Sequence, residues 1–188
     1  MLEKLKNKTV GIAGCGGLGS NCAIALARIG IGKLIIADFD NIVSSNLNRQ
    51  YYFTDQIGLP KVDALKTNIS KVNDNVIVET HYIKLTARNI PGIFSNCDII
   101  VEAFDLAEMK QMLIETVLTV MPDKYIISGS GMAGWGNNNS IKTINFDKLY
   151  VCGDFESEIS DVLLPLAPRV GIVANMQANQ ALEILMKI

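Results

Sequence analysis

KTVGIAGCGGLGS, Lys8–Ser20, decides the fold. Its first half, Lys8–Gly14, is short, apolar and β-branched, and reads as a strand. The residues that follow, Gly17–Gly30, are small and apolar and read as a helix stopped by Gly30 and Gly32. Between the two, Gly14, Gly16 and Gly19 match G-x-G-x-x-G, with Gly17 as an extra glycine. Glycines there let the chain turn sharply and approach a phosphate, and the helix N-terminus behind them favours negative charge. The motif requests a nucleotide without saying which one.

Working outward, strands and helices alternate. Lys33–Asp38 (KLIIAD) is an unbroken apolar run, as a buried parallel strand should be. Pro60–Val72 is a helix with Pro at its first position, Asn75–Leu85 a third strand and Asp98–Phe104 a fourth. Leu106–Val120 is a helix and Lys124–Gly131 a fifth strand. SIKTINF and KLYVC read as short antiparallel strands, and Pro165–Ile188 ends the chain as a helix. The expected architecture is Rossmann-like α/β, doubly wound, with a mainly parallel sheet and some antiparallel strands in the C-terminal half. At 188 residues without repeat or linker, the chain is expected to form one nucleotide-binding domain, residues 1–188.

Composition narrows the partners. A net charge of −2 gives no electrostatic argument for nucleic acid or a membrane surface. No apolar run approaches the roughly 20 residues that span a bilayer. The charged start runs straight into the glycine loop without a small-residue cleavage pattern, so a cytoplasmic location is expected. Cys15, Cys22, Cys97 and Cys152 form no Cys-x-x-Cys pair and there is one histidine, His81, so no zinc site is expected. His81 reads as a structural or surface residue of the third strand.

Asp38 ends the second strand 19 residues after Gly19, where a ribose-binding carboxylate belongs. NAD and ATP both satisfy this much. The difference lies in the long polar segment Phe39–Leu59 and its exit, which carry Asn46, Asn48, Arg49, Gln50 and then Lys61. Loops of that length are usually functional. Hydride transfer has little use for such cations, whereas transfer at the α-phosphate of ATP spreads negative charge that Arg and Lys stabilise. Asp105, just past the fourth strand, should face the same crevice. A carboxylate near ATP phosphates is tolerable when it holds Mg²⁺. A helix cap is its plainer alternative.

GxGGLGS, then DFDNIVSSNLNRQ, GLPK and an acid after the fourth strand together resemble the ThiF/MoeB-type adenylyltransferases, relatives of the ubiquitin-activating enzymes. The resemblance runs from Thr9 to the last helix. It implies an ATP loop made of Gly14, Gly16, Gly17 and Gly19, with Asp38 on the ribose. It also implies phosphate contacts from Asn46, Arg49 and Lys61, and Mg²⁺ on Asp105; Arg49, Lys61 and Asp105 would carry the catalysis. The implied substrate is a small ubiquitin-like sulfur carrier ending in Gly-Gly, whose terminal carboxylate is adenylated with release of pyrophosphate. VEAFD, SGMAG, VCGD and APRVGI resemble the short subgroup that acts on the thiamine-pathway carrier ThiS. The family also implies a homodimer.

Three features depart from that pattern. The family's paired Cys-x-x-Cys motifs are absent. So is a long N-terminal helix to supply an Arg to the partner subunit, which leaves Arg28 and Arg169 open as substitutes. The segment SEISDVLLPLAPR carries no nucleophilic Cys; Cys152 precedes it and reads as a strand cysteine, and Cys15 as a small filler in the loop. The competing readings are an NAD(P)-dependent oxidoreductase, a non-catalytic nucleotide-sensing or partner-binding module, and an adenylating relative acting on the molybdopterin carrier or a modified tRNA.

Overall fold

The computed structural model describes residues 2–188. Seven strands form one sheet: β1 (Thr9–Ala13), β2 (Lys33–Asp38), β3 (Ile77–Tyr82), β4 (Ile99–Glu102), β5 (Tyr125–Gly129), β6 (Lys142–Phe146) and β7 (Leu149–Gly153). Their spatial order is β3-β2-β1-β4-β5-β7-β6. All neighbours are parallel except the β6–β7 hairpin. This is the Rossmann-like α/β fold expected from the alternation of strands and helices. The order reverses at β1, between β2 and β4, and an open parallel sheet opens a crevice at such a switch point.

Two helical layers cover the sheet. Five helices are α1 (Gly17–Arg28), α2 (Lys61–Val72), α3 (Ile90–Phe94), α4 (Ala107–Val120) and α5 (Ala167–Lys187). Successive side chains of a strand point to opposite faces, and the two cores follow that period. Ile12, Ile36 and Val101 join the core under α1, α2 and α5. Ala13, Ile35 and Ile100 join the core of Ile90, Phe94, Leu113 and Val117 from α3 and α4. β4 is buried throughout and β1, β2 and β5 are buried after their first residue, whereas edge strands β3 and β6 leave Ile77 and Phe146 exposed.

Differences from the sequence reading have local causes. β3 is shorter than Asn75–Leu85 because its partner β2 ends at Asp38, opposite Tyr82. The five-residue α3 was not anticipated; it is too short to show a helical period and forms because Ile90 and Phe94 seal the second core. Phe94 lies flat on Gly11, where a Cβ would come within 2.6 Å of its ring. The long Phe39–Leu59 segment is not structureless. It holds two 3₁₀ turns, Ser44–Asn46 and Thr54–Gln56, and Asn41 bridges to Pro60. The chain opens with a 3₁₀ turn, Leu2–Asn7, rather than a long helix.

Candidate active site

At the C-terminal ends of β1, β2, β4 and β5 lies a cavity of about 670 Å³. Gly14, Gly16, Gly17, Asp38, Arg49, Lys61 and Asp105 all line it.

The glycine loop forms its floor. Gly14 has φ +95°, a left-handed conformation, and a Cβ there would sit 2.9 Å from the Ala103 carbonyl oxygen. Gly19 does not line the cavity; a Cβ there would meet Gly14 O at 1.8 Å, so its smallness lets α1 pack against the loop. Gly16, the N-cap of α1, offers no capping side chain, and no acidic residue occupies the first turn. The helix therefore presents backbone N–H groups and a positive dipole end to the cavity.

The β2 tip supplies the first carboxylate. Asp38 Oδ2 accepts the Cys15 N–H at 2.6 Å and Oδ1 accepts the Asp40 N–H at 2.8 Å. Burial raises its pKa above the usual aspartate value, against the lowering effects of the Lys61 ammonium and these two N–H groups. Lys61, at the first position of α2, is 6% exposed. Its Nζ lies 2.7 Å from Asp40 Oδ2, and its own N–H donates to Asp40 O at 3.0 Å. Asp40, which the sequence left without a role, thus holds a buried ammonium at the cavity wall.

The segment after β2 is fastened to the first turn of α1. Tyr51 N–H donates to Ser20 Oγ at 3.0 Å, and Asn21 Nδ2 donates to Arg49 O at 2.9 Å. Arg49 Nη1 donates to Ser45 O and Asn48 Oδ1, at 3.2 and 2.8 Å. Asn46 lies outside the cavity lining. Its Oδ1 accepts the Val43 N–H at 3.1 Å, closing the 3₁₀ turn Ser44–Asn46, and its backbone O accepts the Arg49 N–H at 3.2 Å. Tyr52 donates its hydroxyl to Cys15 O at 2.7 Å and links the glycine loop to this segment. No spacing in the sequence marks it.

The β4 tip carries two acids with different duties. Asp105 is exposed on the cavity rim and caps no helix; the N-cap of α4 is Leu106, without a side-chain hydrogen bond. Glu102 is fully buried. Lys110 Nζ donates to both its oxygens, at 3.1 and 2.9 Å, and also to Gly129 O at 3.0 Å. Ser128 Oγ donates to Oε2 at 2.5 Å and the Phe104 N–H to Oε1 at 2.7 Å. This knot ties β4, α4 and β5 together one residue before the Asp105 loop. Glu102 lies in VEAFD, but sequence reading missed the knot because nothing in that motif marks Lys110 or Ser128 as its partners.

The remaining candidates lie elsewhere. Arg28 reaches Tyr51 Oη at 3.5 Å, and Arg169 is buried against Asp154 and Gly136 O; neither lines the cavity. Burial pushes the Asp154 carboxyl up, but the Ser157 and Glu156 N–H groups and Arg169 outweigh it and leave the pKa lowered. All four cysteines are buried. Burial pushes the thiols of Cys15, Cys22 and Cys152 up and that of Cys97 to about 12, which opposes thiolate chemistry. His81 sits on β3 against Glu79, away from the cavity. Among the described residues no three metal-ligating side chains cluster, and no helix is long and apolar enough to cross a membrane.

The cavity thus brings together a glycine loop, an uncapped helix end, Arg49 and Lys61, and the carboxylates of Asp38, Asp40 and Asp105. The chain is 35% identical over 150 residues to an adenylyltransferase and sulfurtransferase UBA4 of Scheffersomyces stipitis, covering 79% of the chain and 33% of that protein. It is 44% identical over 84 residues to ubiquitin-like modifier-activating enzyme 5 of Drosophila mojavensis, covering 45% of the chain and 21% of that protein. The chain thus spans about a third or less of these relatives' length. Among solved structures, E. coli tRNA N6-threonylcarbamoyladenosine dehydratase TcdA in complex with ATP superposes with TM-score 0.89, over 99% of this chain and 88% of that one, at 20% identity. E. coli MccB with ATP superposes at 0.76 with 25% identity, over 99% and 57% of the two chains. The ThiF family pattern matches residues 1–188, from one end of the chain to the other. The chain belongs to the ThiF family.

Proposed function

We propose that this protein adenylates the C-terminal glycine carboxylate of a small ubiquitin-like sulfur carrier at the expense of ATP. The observation that carries the reading is the convergence of Gly14, Gly16, Gly17, Asp38, Arg49, Lys61 and Asp105 on one cavity. The adenylyltransferase relatives support it. Asp38 receives the ribose hydroxyls; the glycine loop and the first turn of α1 receive the phosphates. Arg49 and Lys61 neutralise the charge that spreads over the phosphate oxygens in the transition state. One carboxylate oxygen of the carrier attacks the α-phosphorus, the bond to the bridging α–β oxygen breaks, and pyrophosphate leaves. The carboxylate is already ionised, so no general base is required, and alignment with charge stabilisation suffices. Asp105 would hold Mg²⁺, which would supply neutralisation of the phosphate charge.

ThiS is the carrier we propose, acting in the cytoplasm, with the enzyme a homodimer. The protein is incubated with ATP, Mg²⁺ and a panel of Gly-Gly-ending carriers, following ATP–pyrophosphate exchange and carrier mass. Carrier-dependent exchange and a carrier heavier by one adenylyl group are expected. No adenylate on any carrier overturns the reading.

A further inference from the structure

The sheet forks where the cavity begins. β4 and β5 are paired up to Val101 and Ile127 and no further, although β4 runs on to Glu102 and β5 to Gly129. Beyond that point each strand keeps only its outer neighbour, Glu102 beside Ala13 and Gly129 beside Cys152. Ala103, Phe104 and Asp105 then line the cavity from one prong, and Gly129, Ser130 and Gly131 from the other. Side chains replace the missing ladder. From α5, Gln177 Nε2 donates to Glu102 O at 3.0 Å and to Ile127 O at 3.4 Å. Its Oε1 is buried without a partner, a local cost of making that span. From α4, Lys110 Nζ reaches both prongs. It donates to the two carboxylate oxygens of Glu102 on β4 and to Gly129 O on β5. An ammonium has three N–H donors. All three are committed, so Lys110 lines the cavity with none left for a ligand.

We infer that Lys110 is a positioning residue for the acceptor carboxylate: it sets the width of the β4–β5 fork through which the carrier's C-terminal end reaches the nucleotide. The inference rests on the adenylation reading above. In that reading the phosphates are held by the glycine loop, Arg49 and Lys61, which come from β1, β2 and the segment after β2. Attack at phosphorus needs the entering and leaving oxygens roughly in line. With the phosphates held on that side, the carboxylate enters from the β4–β5 side. A continuous ladder between the prongs would close this mouth, and prongs with no tie would let it drift. A lysine bonded to both prongs holds the mouth open at a fixed width. The Phe104 N–H on Glu102 Oε1 carries the same constraint to the loop before Asp105.

The test removes the tie and then rebuilds it. Lys110→Met keeps the length of the side chain and loses the ammonium. Lys110→Cys loses it too, and 2-bromoethylamine then restores an ammonium on a chain of lysine length. The four native thiols are fully buried, so in the folded protein the reagent meets the introduced thiol, with treated wild type as the control. Carrier-dependent pyrophosphate exchange is followed with the Gly-Gly-ending carrier that the wild type adenylates. It is read beside the ATP dissociation constant from calorimetry, below the melting temperature of each variant. For Lys110→Met we expect kcat/KM for the carrier to fall by about ten- to a hundred-fold, the scale of a small misplacement of a reacting group, with ATP affinity within about twofold of wild type. Aminoethylation of Lys110→Cys should return most of that loss and leave ATP affinity unmoved. An unchanged carrier kcat/KM in Lys110→Met overturns the inference. So does an equal loss of ATP affinity, which marks a general packing role, and so does an alkylated Lys110→Cys no better than the untreated one. If neither variant folds, Lys110 is purely structural and the inference fails. A wild type that binds ATP but adenylates no carrier overturns the adenylation reading, and this inference with it.

Discussion

The tips of β2 and β4 each end in a carboxylate, and they use it in opposite ways. At the β2 tip, Asp38 accepts two backbone N–H groups and still faces the cavity, with Lys61 nearby but bonded to Asp40. At the β4 tip, Glu102 accepts from Lys110, Ser128 and Phe104 and is closed to any ligand. An acid at a strand end is therefore no site by position alone. What decides is whether the fold has already filled its lone pairs. On the β4 side the carboxylate that faces the cavity is exposed Asp105, three residues later.

The contrast breaks most visibly at Glu102. Replacing it by Ala leaves the Lys110 ammonium without its carboxylate in a part-buried site, and removal of one partner of a buried pair costs about 3–5 kcal/mol. Lys110 keeps some solvent contact, at 21% side-chain exposure, which places the loss toward the lower end. Urea unfolding measures it; a loss under about 1 kcal/mol, the level of a surface pair, would show that the knot is not structural. Lys61→Ala, Arg49→Ala and Asp105→Ala should act the other way. Each is expected to reduce carrier-dependent pyrophosphate exchange by about a hundred-fold or more, with Asp105→Ala leaving the melting temperature unchanged. Wild-type exchange in both Arg49→Ala and Asp105→Ala would show the cavity assignment to be wrong.

Acid titration sharpens the β2 side. Burial raises the Asp38 pKa above its ordinary 3.8, so the folded chain binds this proton more readily than the unfolded chain. The stability contributed by protonation of Asp38 is fully present below the ordinary value of 3.8 and is lost as pH rises from there through the raised value. ATP affinity should change in the opposite sense. It should fall on acidification with a midpoint above 3.8, read by calorimetry across the acid range, and Asp38→Asn should remove that step. The smallest effect belongs to the thiols. Cys152, buried and hydrogen-bonded to Thr143, is expected to tolerate Ala with exchange within about twofold of wild type, as an ordinary packing position would. A tenfold loss at unchanged melting temperature would return it to the chemistry.

Much of this was legible in the chain. The apolar runs of β1, β2, β4 and β5, Gly30 after α1 and Pro60 before α2 are local signals, and the strands and helices formed where they pointed. Gly14, Asp38, Arg49, Lys61 and Asp105 were selected by motif and loop length, and all five line the cavity. Asn46 belongs to the same block, but its side chain lies outside the cavity lining and its Oδ1 accepts the Val43 N–H. A motif names a segment and does not distinguish the residue that faces inward from the one that shapes the backbone.

By itself, the sequence determined the alternation of strands and helices, the position of the glycine turn and the charges brought near it. These follow from side-chain periodicity, backbone permissiveness and formal charge, which are properties of neighbours in the chain. Only the tertiary structure decided which acids are spent. Glu102 meets Ser128 across 26 residues, and Asp40 meets Lys61 across 21. Tyr52 reaches Cys15 across 37, and Gln50 meets no partner for its buried oxygen. Hydrogen-bond saturation depends on groups that folding brings together from distant positions, so no local pattern reports it.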